Sequence, residues 1–309
     1  MELHHHSEQL AWFDLQPDGV AGFISIYIWL DEKNAVIETG PACGLENIMR
    51  GIAAAGLAPE EIDWVLPTHI HLDHFGGGGH LLRELPNARA LVHPRALKHV
   101  LDPQRLWEGS RAFLGPIAEM YGEPLPVAPD RVAAVEDGAV VDLGSTQLRA
   151  LHTPGHAPHH VAWVADREVF VGDALGLWYT GLDRAFPVTP PRYDHALALA
   201  SLDALESLDT EWLHYTHFGP RPAREGVSIA QVREEFKAWL GVQGVVGARP
   251  RRRHRRRGRG RDNDAAAGGA APASADRAGH GAASGRYPPR VGARHARVAR
   301  CAALILILT

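Results

Sequence analysis

The chain has 309 residues, 45% of them hydrophobic, and a formal net charge of −4 from 32 basic and 36 acidic side chains, enough apolar content for one large core or two small ones. The charge is unevenly divided: from Arg249 onward 15 Arg face Asp262, Asp264 and Asp276, which gives +12 there and −16 over the rest, and an acidic body argues against nonspecific nucleic-acid binding by the folded part. Only Cys43 and Cys301 are present, no apolar run reaches the ~18 residues of a membrane span and no export signal opens the chain, which excludes a disulfide framework, a cysteine metal site and a membrane protein and makes a reducing cytoplasm the expected compartment.

His4-His5-His6 carries no assigned role. Residues 20 to 40 hold two β-rich runs separated by Asp31-Glu32-Lys33-Asn34, which predicts a hairpin. Leu45, Ile48, Met49, Ile52 and Ala53 recur at i, i+3, i+4 and predict an amphipathic helix. After a turn at Pro59-Glu60-Glu61, the strand-length apolar run Ile62 to Pro67 leads into Thr68-His69-Ile70-His71-Leu72-Asp73-His74-Phe75-Gly76-Gly77. A helix through Leu81, Leu82 and Leu85 and a strand at Ala90-Leu91-Val92 continue a β-α-β order.

Residues 95 to 123 have helical periodicity through Leu97, Val100, Leu106, Trp107, Phe113, Ile117 and Met120-Tyr121, interrupted by Pro103 and Pro116. Period-two runs at 140–143, 147–151, 161–164 and 168–171 predict a second sheet. Leu197 to Leu208 reads as a helix, Trp212 to Thr216 as a strand ending at His217, and Ile229 to Leu240 as a last helix. The folded domain is therefore expected over 1–245. From 246 to 309 the Arg-, Ala- and Gly-rich composition cannot bury enough surface to offset its ordering entropy and predicts disorder, either as a basic tail or as the out-of-frame translation of a GC-rich gene.

The stretch from His69 to His74 packs three imidazoles and a carboxylate into six positions. These are the ligands that zinc, iron or manganese accepts. In an extended segment His69, His71 and Asp73 point one way, and His74, just past the turn, reaches a neighbouring position, so two adjacent metal positions are expected. A solvated His-rich surface loop is the plainer alternative, and the density of ligand-type residues weighs against it.

The motif resembles that of the metallo-β-lactamase fold superfamily over about residues 20 to 240. Thr153-Pro154-Gly155-His156, Gly172-Asp173 and Thr216-His217-Phe218-Gly219 follow in the order that family shows. The resemblance implies an αββα sandwich of two mixed β-sheets with outer helices, and a helical lid at about 95–123, for which a plain core role is the alternative. It implies that His69, His71 and His156 hold one divalent ion, Asp73, His74 and His217 a second, and that Asp173 bridges them. Zinc is the first expectation, with iron or manganese as the others. Where the family often has Asp, this chain has Glu38, whose extra methylene leaves two readings open: a carboxylate behind the metal loop or a solvated strand end. His159 and His160 read as ordinary strand histidines.

The implied activity is that of a dinuclear hydrolase. A metal-bridging hydroxide attacks a small ester, thioester or lactone, and Asp73 orients the nucleophile or passes a proton to the leaving group. A bridging Asp173 resembles glyoxalase II-type thioesterases, lactonases and phosphodiesterases more than true β-lactamases. Trp178, Tyr179 and Tyr215 are candidate pocket walls. The competing readings are a phosphodiester hydrolase, disfavoured by the acidic body, a mononuclear iron oxidoreductase of the persulfide dioxygenase type, and a non-catalytic metal-binding module. The expected partner is a small-molecule substrate.

Overall fold

The computed structural model describes residues 2–179, 184–223 and 229–247, with side chains followed to Trp239 in the last helix and without those of Tyr179 and Arg184. The chain begins with β1 (Leu3–His5), β2 (Leu10–Asp14), β3 (Ser25–Trp29) and β4 (Asn34–Ile37), then α1 (Leu45–Ala54) and β5 (Ile62–Leu66). Two short helices, α2 (Leu72–Phe75) and α3 (Gly78–Glu84), lead to β6 (Arg89–Val92), and α4 (Leu97–Leu101), α5 (Gln104–Leu114) and α6 (Pro116–Tyr121) lead to β7 (Val132–Ala134). The second half contains β8 (Val140–Asp142), β9 (Gln147–His152), β10 (Val161–Ala165), β11 (Glu168–Gly172), β12 (Leu177–Tyr179) and β13 (Arg184–Phe186). It closes with α7 (His195–Glu206), β14 (Trp212–Tyr215), β15 (Gly219–Pro222) and α8 (Ile229–Gly247).

Two mixed sheets result. The first has the order β1-β2-β3-β4-β5-β6-β7 and the second β15-β14-β11-β10-β9-β8, while β12 and β13 form a separate ribbon. The expected β3–β4 hairpin is antiparallel, and β4 pairs with β5 in parallel because α1 carries the chain back across the sheet. Every residue of β3 and of β10 is buried, as continuous apolar runs require when both faces of a strand are covered.

Three apolar clusters define the layers. Tyr27, Trp29, Leu66, Leu148, Trp163 and Phe170 fill the space between the sheets. Phe13, Ile26, Val36, Ile48, Leu81 and Trp107 pack the helices onto the outer face of the first sheet, and Val169, Leu202, Leu205, Leu213, Tyr215 and Phe236 do so on the second. This is the αββα sandwich the sequence implied. Truncating Trp163, fully buried between the sheets, would cost about 3–5 kcal/mol. Asp194 caps α7 by accepting from Leu197 N at 3.1 Å, a bond worth about 1 kcal/mol.

The region expected as a lid forms α4, α5 and α6, whose Val100, Trp107, Ala118 and Tyr121 belong to the core of the first sheet. α6 packs against α2 as well. The last helix runs past Leu240 to Gly247, so the expected domain end at 245 falls inside it; of the expected tail over 246–309, Val246 and Gly247 continue this helix and the rest lies outside the described residues. Among the described residues no helix is long and apolar enough to cross a membrane.

At one end of the sandwich the two sheets are tied together by hydrogen bonds. Ser25 N donates to Thr216 O at 2.7 Å and Val161 N to Thr68 O at 2.7 Å. Tyr27 Oη donates to Tyr215 O at 2.5 Å and Trp163 Nε1 to Pro67 O at 3.1 Å. These bonds bring the loops that follow β5 and β14 to one rim.

Candidate metal centre

The rim gathers the segments that carry the expected ligands. His69 and His71 leave β5 in the loop before α2; Asp73 and His74 sit on α2 itself. Asp73 therefore does not share the extended run of His69 and His71, as the alternation argument held, because the chain has already turned into a helix at Leu72. His156 follows β9, Asp173 follows β11 and His217 follows β14.

Three nitrogens face one another: His69 Nε2 lies 2.9 Å from His71 Nδ1 and 3.1 Å from His156 Nε2, and His156 Nε2 lies 3.0 Å from His71 Nδ1. A second set lies beside it. His217 Nε2 is 3.7 Å and His74 Nε2 3.9 Å from Asp73 Oδ2. Asp173 stands between the sets, with Oδ2 at 3.5 Å from His156 Nε2 and Oδ1 at 3.5 Å from both His74 Nε2 and His217 Nε2. His69, His71 and His156 thus form one group able to hold a metal, and Asp73, His74 and His217 another.

The tautomers follow from the far side of each ring. His156 Nδ1 donates to Val188 O at 3.0 Å and His217 Nδ1 to Phe23 O at 2.7 Å. His74 Nδ1 donates to Glu38 Oε1 at 3.0 Å. Thr68 Oγ1 gives its proton to Glu38 Oε1 at 2.6 Å and so accepts from His69 Nδ1 at 3.1 Å. With the hydrogen held on the far nitrogen, the near nitrogens of His69, His156 and His217 are lone pairs aimed into the rim, whereas His74, facing three carboxylates, holds a proton on Nε2 as well. His69 Nε2 and His156 Nε2 converge on His71 Nδ1, whose single hydrogen can serve only one of them, and His74 Nε2 and Asp173 Oδ1 are buried with no hydrogen-bond partner. Such a donor set is incomplete until a cation enters it, and it fits zinc, iron or manganese.

Burial and charge set the protonation of these rings differently. Burial, then the charges of neighbouring imidazoles, push His69 and His71 well below the ordinary histidine value, so both are neutral and ready to ligate. Burial works against the charge of His74 too, but Asp173, Glu38 and Asp73 outweigh it and hold its pKa well above the ordinary value. Burial also opposes the charge on Asp173, and His74, His156 and His217 keep its carboxyl well below the usual range.

Glu38 resolves the choice left open by the sequence. It is buried to 1% exposure and accepts from Thr68 Oγ1, from Thr68 N at 3.2 Å, from Thr216 Oγ1 at 2.8 Å and from His74 Nδ1. Its backbone takes φ 68°, which costs about 1–3 kcal/mol outside glycine and turns the side chain toward the rim. The solvated strand end is excluded.

His160 is likewise more than a strand histidine: its Nδ1 donates to Thr153 Oγ1 at 2.8 Å and its Nε2 accepts from Asp173 N at 3.1 Å, which fixes the backbone of Asp173. Gly172 makes this approach possible, since a Cβ there would stand 2.5 Å from Thr68 Oγ1 and 2.6 Å from His160 Nε2 at φ 49°. His159 is partly buried, with its pKa lowered to about 3 by desolvation and then by His156, and its Nδ1 is shielded without a partner.

Trp178 and Tyr215, expected as pocket walls, pack in the core under α7 and α8, at 3% and 1% exposure. For Tyr215 the reason is strand alternation: His214 points between the sheets, so its neighbour points to the helices. The side chain of Tyr179 lies outside the described residues. Tyr121, read from the sequence only as part of the helical pattern over 95–123, has its Oη buried without a partner, and burial followed by the charge of Asp73 raises its pKa well above the ordinary value. A sequence signal for Thr68 and Thr216 did exist: each stands immediately before a ligand-type His.

The profile described as the metallo-beta-lactamase superfamily matches residues 23–217. A metallo-beta-lactamase fold-containing protein of Sulfurisphaera tokodaii is 29% identical over 195 residues, 61% of this chain and 74% of that protein. A hydroxyacylglutathione hydrolase of Cupriavidus taiwanensis is 32% identical over 204 residues, 63% of each chain, so this chain spans less than two thirds of that relative. The crystal structure of an archaeal metallo-beta-lactamase superfamily protein from Sulfolobus tokodaii superposes with TM-score 0.63 at 26% identity, over 76% of this chain and 87% of that one. A metallo-beta-lactamase from a soil metagenome shares the fold, with TM-score 0.56 at 22% identity over 80% and 96% of the two chains.

Proposed function

From the premise that the chain belongs to the metallo-beta-lactamase superfamily, we propose that it is a cytoplasmic metal-dependent hydrolase that opens a small thioester, ester or lactone at a centre of two divalent ions, zinc first among them. The observation that carries this reading is Asp173, whose two oxygens face different sets of imidazole nitrogens. A carboxylate between two cations offsets their repulsion. In this assignment His69, His71 and His156 hold one ion, Asp73, His74 and His217 hold the other, and Asp173 serves both. Bound there, the ions supply a nucleophile from water at neutral pH and polarise the acyl carbonyl.

The chain's own groups do the rest. Val188 O, Phe23 O and Thr68 hold the far N–H of His156, His217 and His69, so their near nitrogens face the ions, while Glu38 anchors His74, whose Nε2 proton must leave before a cation enters. Asp73, whose side chain is 11% exposed, is the carboxylate placed to orient the nucleophile and to carry a proton to the leaving group. His160 and Gly172 hold Asp173 in register with both sets. Relatives named hydroxyacylglutathione hydrolase, at 28–32% identity, support a thioester as the first substrate to try.

The test is elemental analysis of the protein purified from its native host, alongside turnover of thioesters, lactones, esters and phosphodiesters. Two ions at the centre with acyl turnover is the expected result. One iron without acyl turnover overturns the reading in favour of an oxygen-dependent reaction, and bound metal with no turnover on any substrate reduces the centre to a binding module.

A further inference from the structure

Apart from the rim, one other group of ligand-type side chains meets among the described residues: His6, Glu168 and His214 each offer an atom within 4.8 Å of the others. We propose that these three residues bind a divalent cation of borderline character, with zinc as its first occupant, and that this ion fastens the N-terminal strand to the second sheet. His6 follows β1, at the edge of the first sheet, while Glu168 opens β11 and His214 lies on β14, neighbours in the second. The site thus bridges two sheets at a point away from the rim.

The geometry suits coordination. His6 Nε2 lies 3.2 Å from Glu168 Oε1, and His214 Nε2 contacts Glu168 Oε2, so the same nitrogen of each ring addresses a different oxygen of one carboxylate. The side chains are 11%, 23% and 0% exposed for His6, Glu168 and His214, which shelters the group but leaves a side open for water. The rings are held in place. His6 packs edge-on against Trp212 at 4.5 Å and against His214 at 5.0 Å, and His214 stacks on Phe170 at 4.6 Å and meets Tyr27 at 5.2 Å. Two imidazoles and a carboxylate form a recognised divalent set, and three protein ligands leave a coordination position for solvent.

Without the ion, both Nε2–H groups donate to Glu168 and the trio is satisfied by its own hydrogen bonds. Entry of a cation moves each ring's proton to Nδ1, with no net proton release from a neutral imidazole. In His214 that nitrogen is buried with no partner, so the shifted proton is unpaired and affinity is lost. This ion is therefore held more weakly than those at the rim, where each far nitrogen of His69, His74, His156 and His217 already donates.

The experiment uses the full chain without a purification tag, saturated with zinc, dialysed free of excess and analysed for metal per chain. The expected result is one equivalent beyond those of the rim, removed first as chelator is raised. His6→Ala and Glu168→Gln should each carry one equivalent fewer than the unaltered protein, whereas a His4→Ala/His5→Ala double variant should keep it. Zinc should also raise the unfolding midpoint of the unaltered chain by more than that of His6→Ala. Asp173→Asn, altered only at the rim, should retain the weak equivalent, so failure of the rim assignment and failure of this one are told apart. Equal metal content in the unaltered chain, His6→Ala and Glu168→Gln would overturn the proposal, and so would loss of the ion in the His4/His5 variant alone, which marks surface chelation by the triplet.

Discussion

The rim and the His6–Glu168–His214 group use the same residue types in opposite hydrogen-bonding states. At the rim, Val188 O, Phe23 O, Thr68 Oγ1 and Glu38 take the far N–H of four imidazoles, and the near nitrogens are turned toward one another and toward Asp173. In the second group, the near N–H bonds are spent on Glu168, and His214 Nδ1 has nothing behind it. What decides how tightly a histidine cluster holds a cation is thus the partner on the far side of each ring as much as the ligands themselves. The first arrangement is costly when empty, and the second is content without an ion.

The largest break in this contrast is Asp173→Asn, which keeps the shape but removes the charge shared by both rim sets. It should cost more than about a hundredfold in acyl turnover, beyond the usual loss for a residue behind a ligand, and lower metal content at the second position; full turnover with both ions bound would exclude the bridging assignment. Glu38→Gln probes the far side instead. It leaves every ligand in place and removes the charge that orients His74, so zinc affinity by chelator competition should fall by about 10–100-fold, with the second group's ion unaffected.

The smallest expected effect lies in the polar turn between β3 and β4, away from both clusters. Slight burial works to raise the Asp31 pKa, but donors from Ser145, Glu32 and Thr146 outweigh it and lower it to about 2. Its folded value is below its unfolded one, so its stabilisation is full above about pH 4 and is lost as pH falls through about 2. Asp31→Asn should therefore lower the unfolding midpoint slightly at pH 6 and by less at pH 2. Because the group is exposed, solvent screening keeps the difference small.

Much of the fold was legible because its strands and helices carry clean periods: the β3–β4 hairpin, α1, β5 and the four strands from β8 to β11 were all expected near their observed places. β1 and β2 were missed, as was any use for His6, because a three-residue edge strand such as Leu3–His5 has too few side chains to show a period. Trp178 and Tyr215 were expected as pocket walls on position along the chain, and the facing of β14 put the Tyr215 ring under the helices instead.

The sequence by itself determined the donor chemistry of the rim, since a dense run of imidazoles and a carboxylate, followed by His156, Asp173 and His217, has few uses other than holding metal. It also determined the layered architecture, through strand and helix periods. Tertiary structure alone decided which nitrogen of each ring faces the rim, that Glu38 bends inward at a positive φ to serve His74, and that His160 supports Asp173. It decided too that His6 meets Glu168 and His214 across 162 and more residues of chain. These are properties of which atoms end in contact, set by sheet register and by the hydrogen bonds that splice the two sheets, and no local pattern encodes the partner on the far side of a ring.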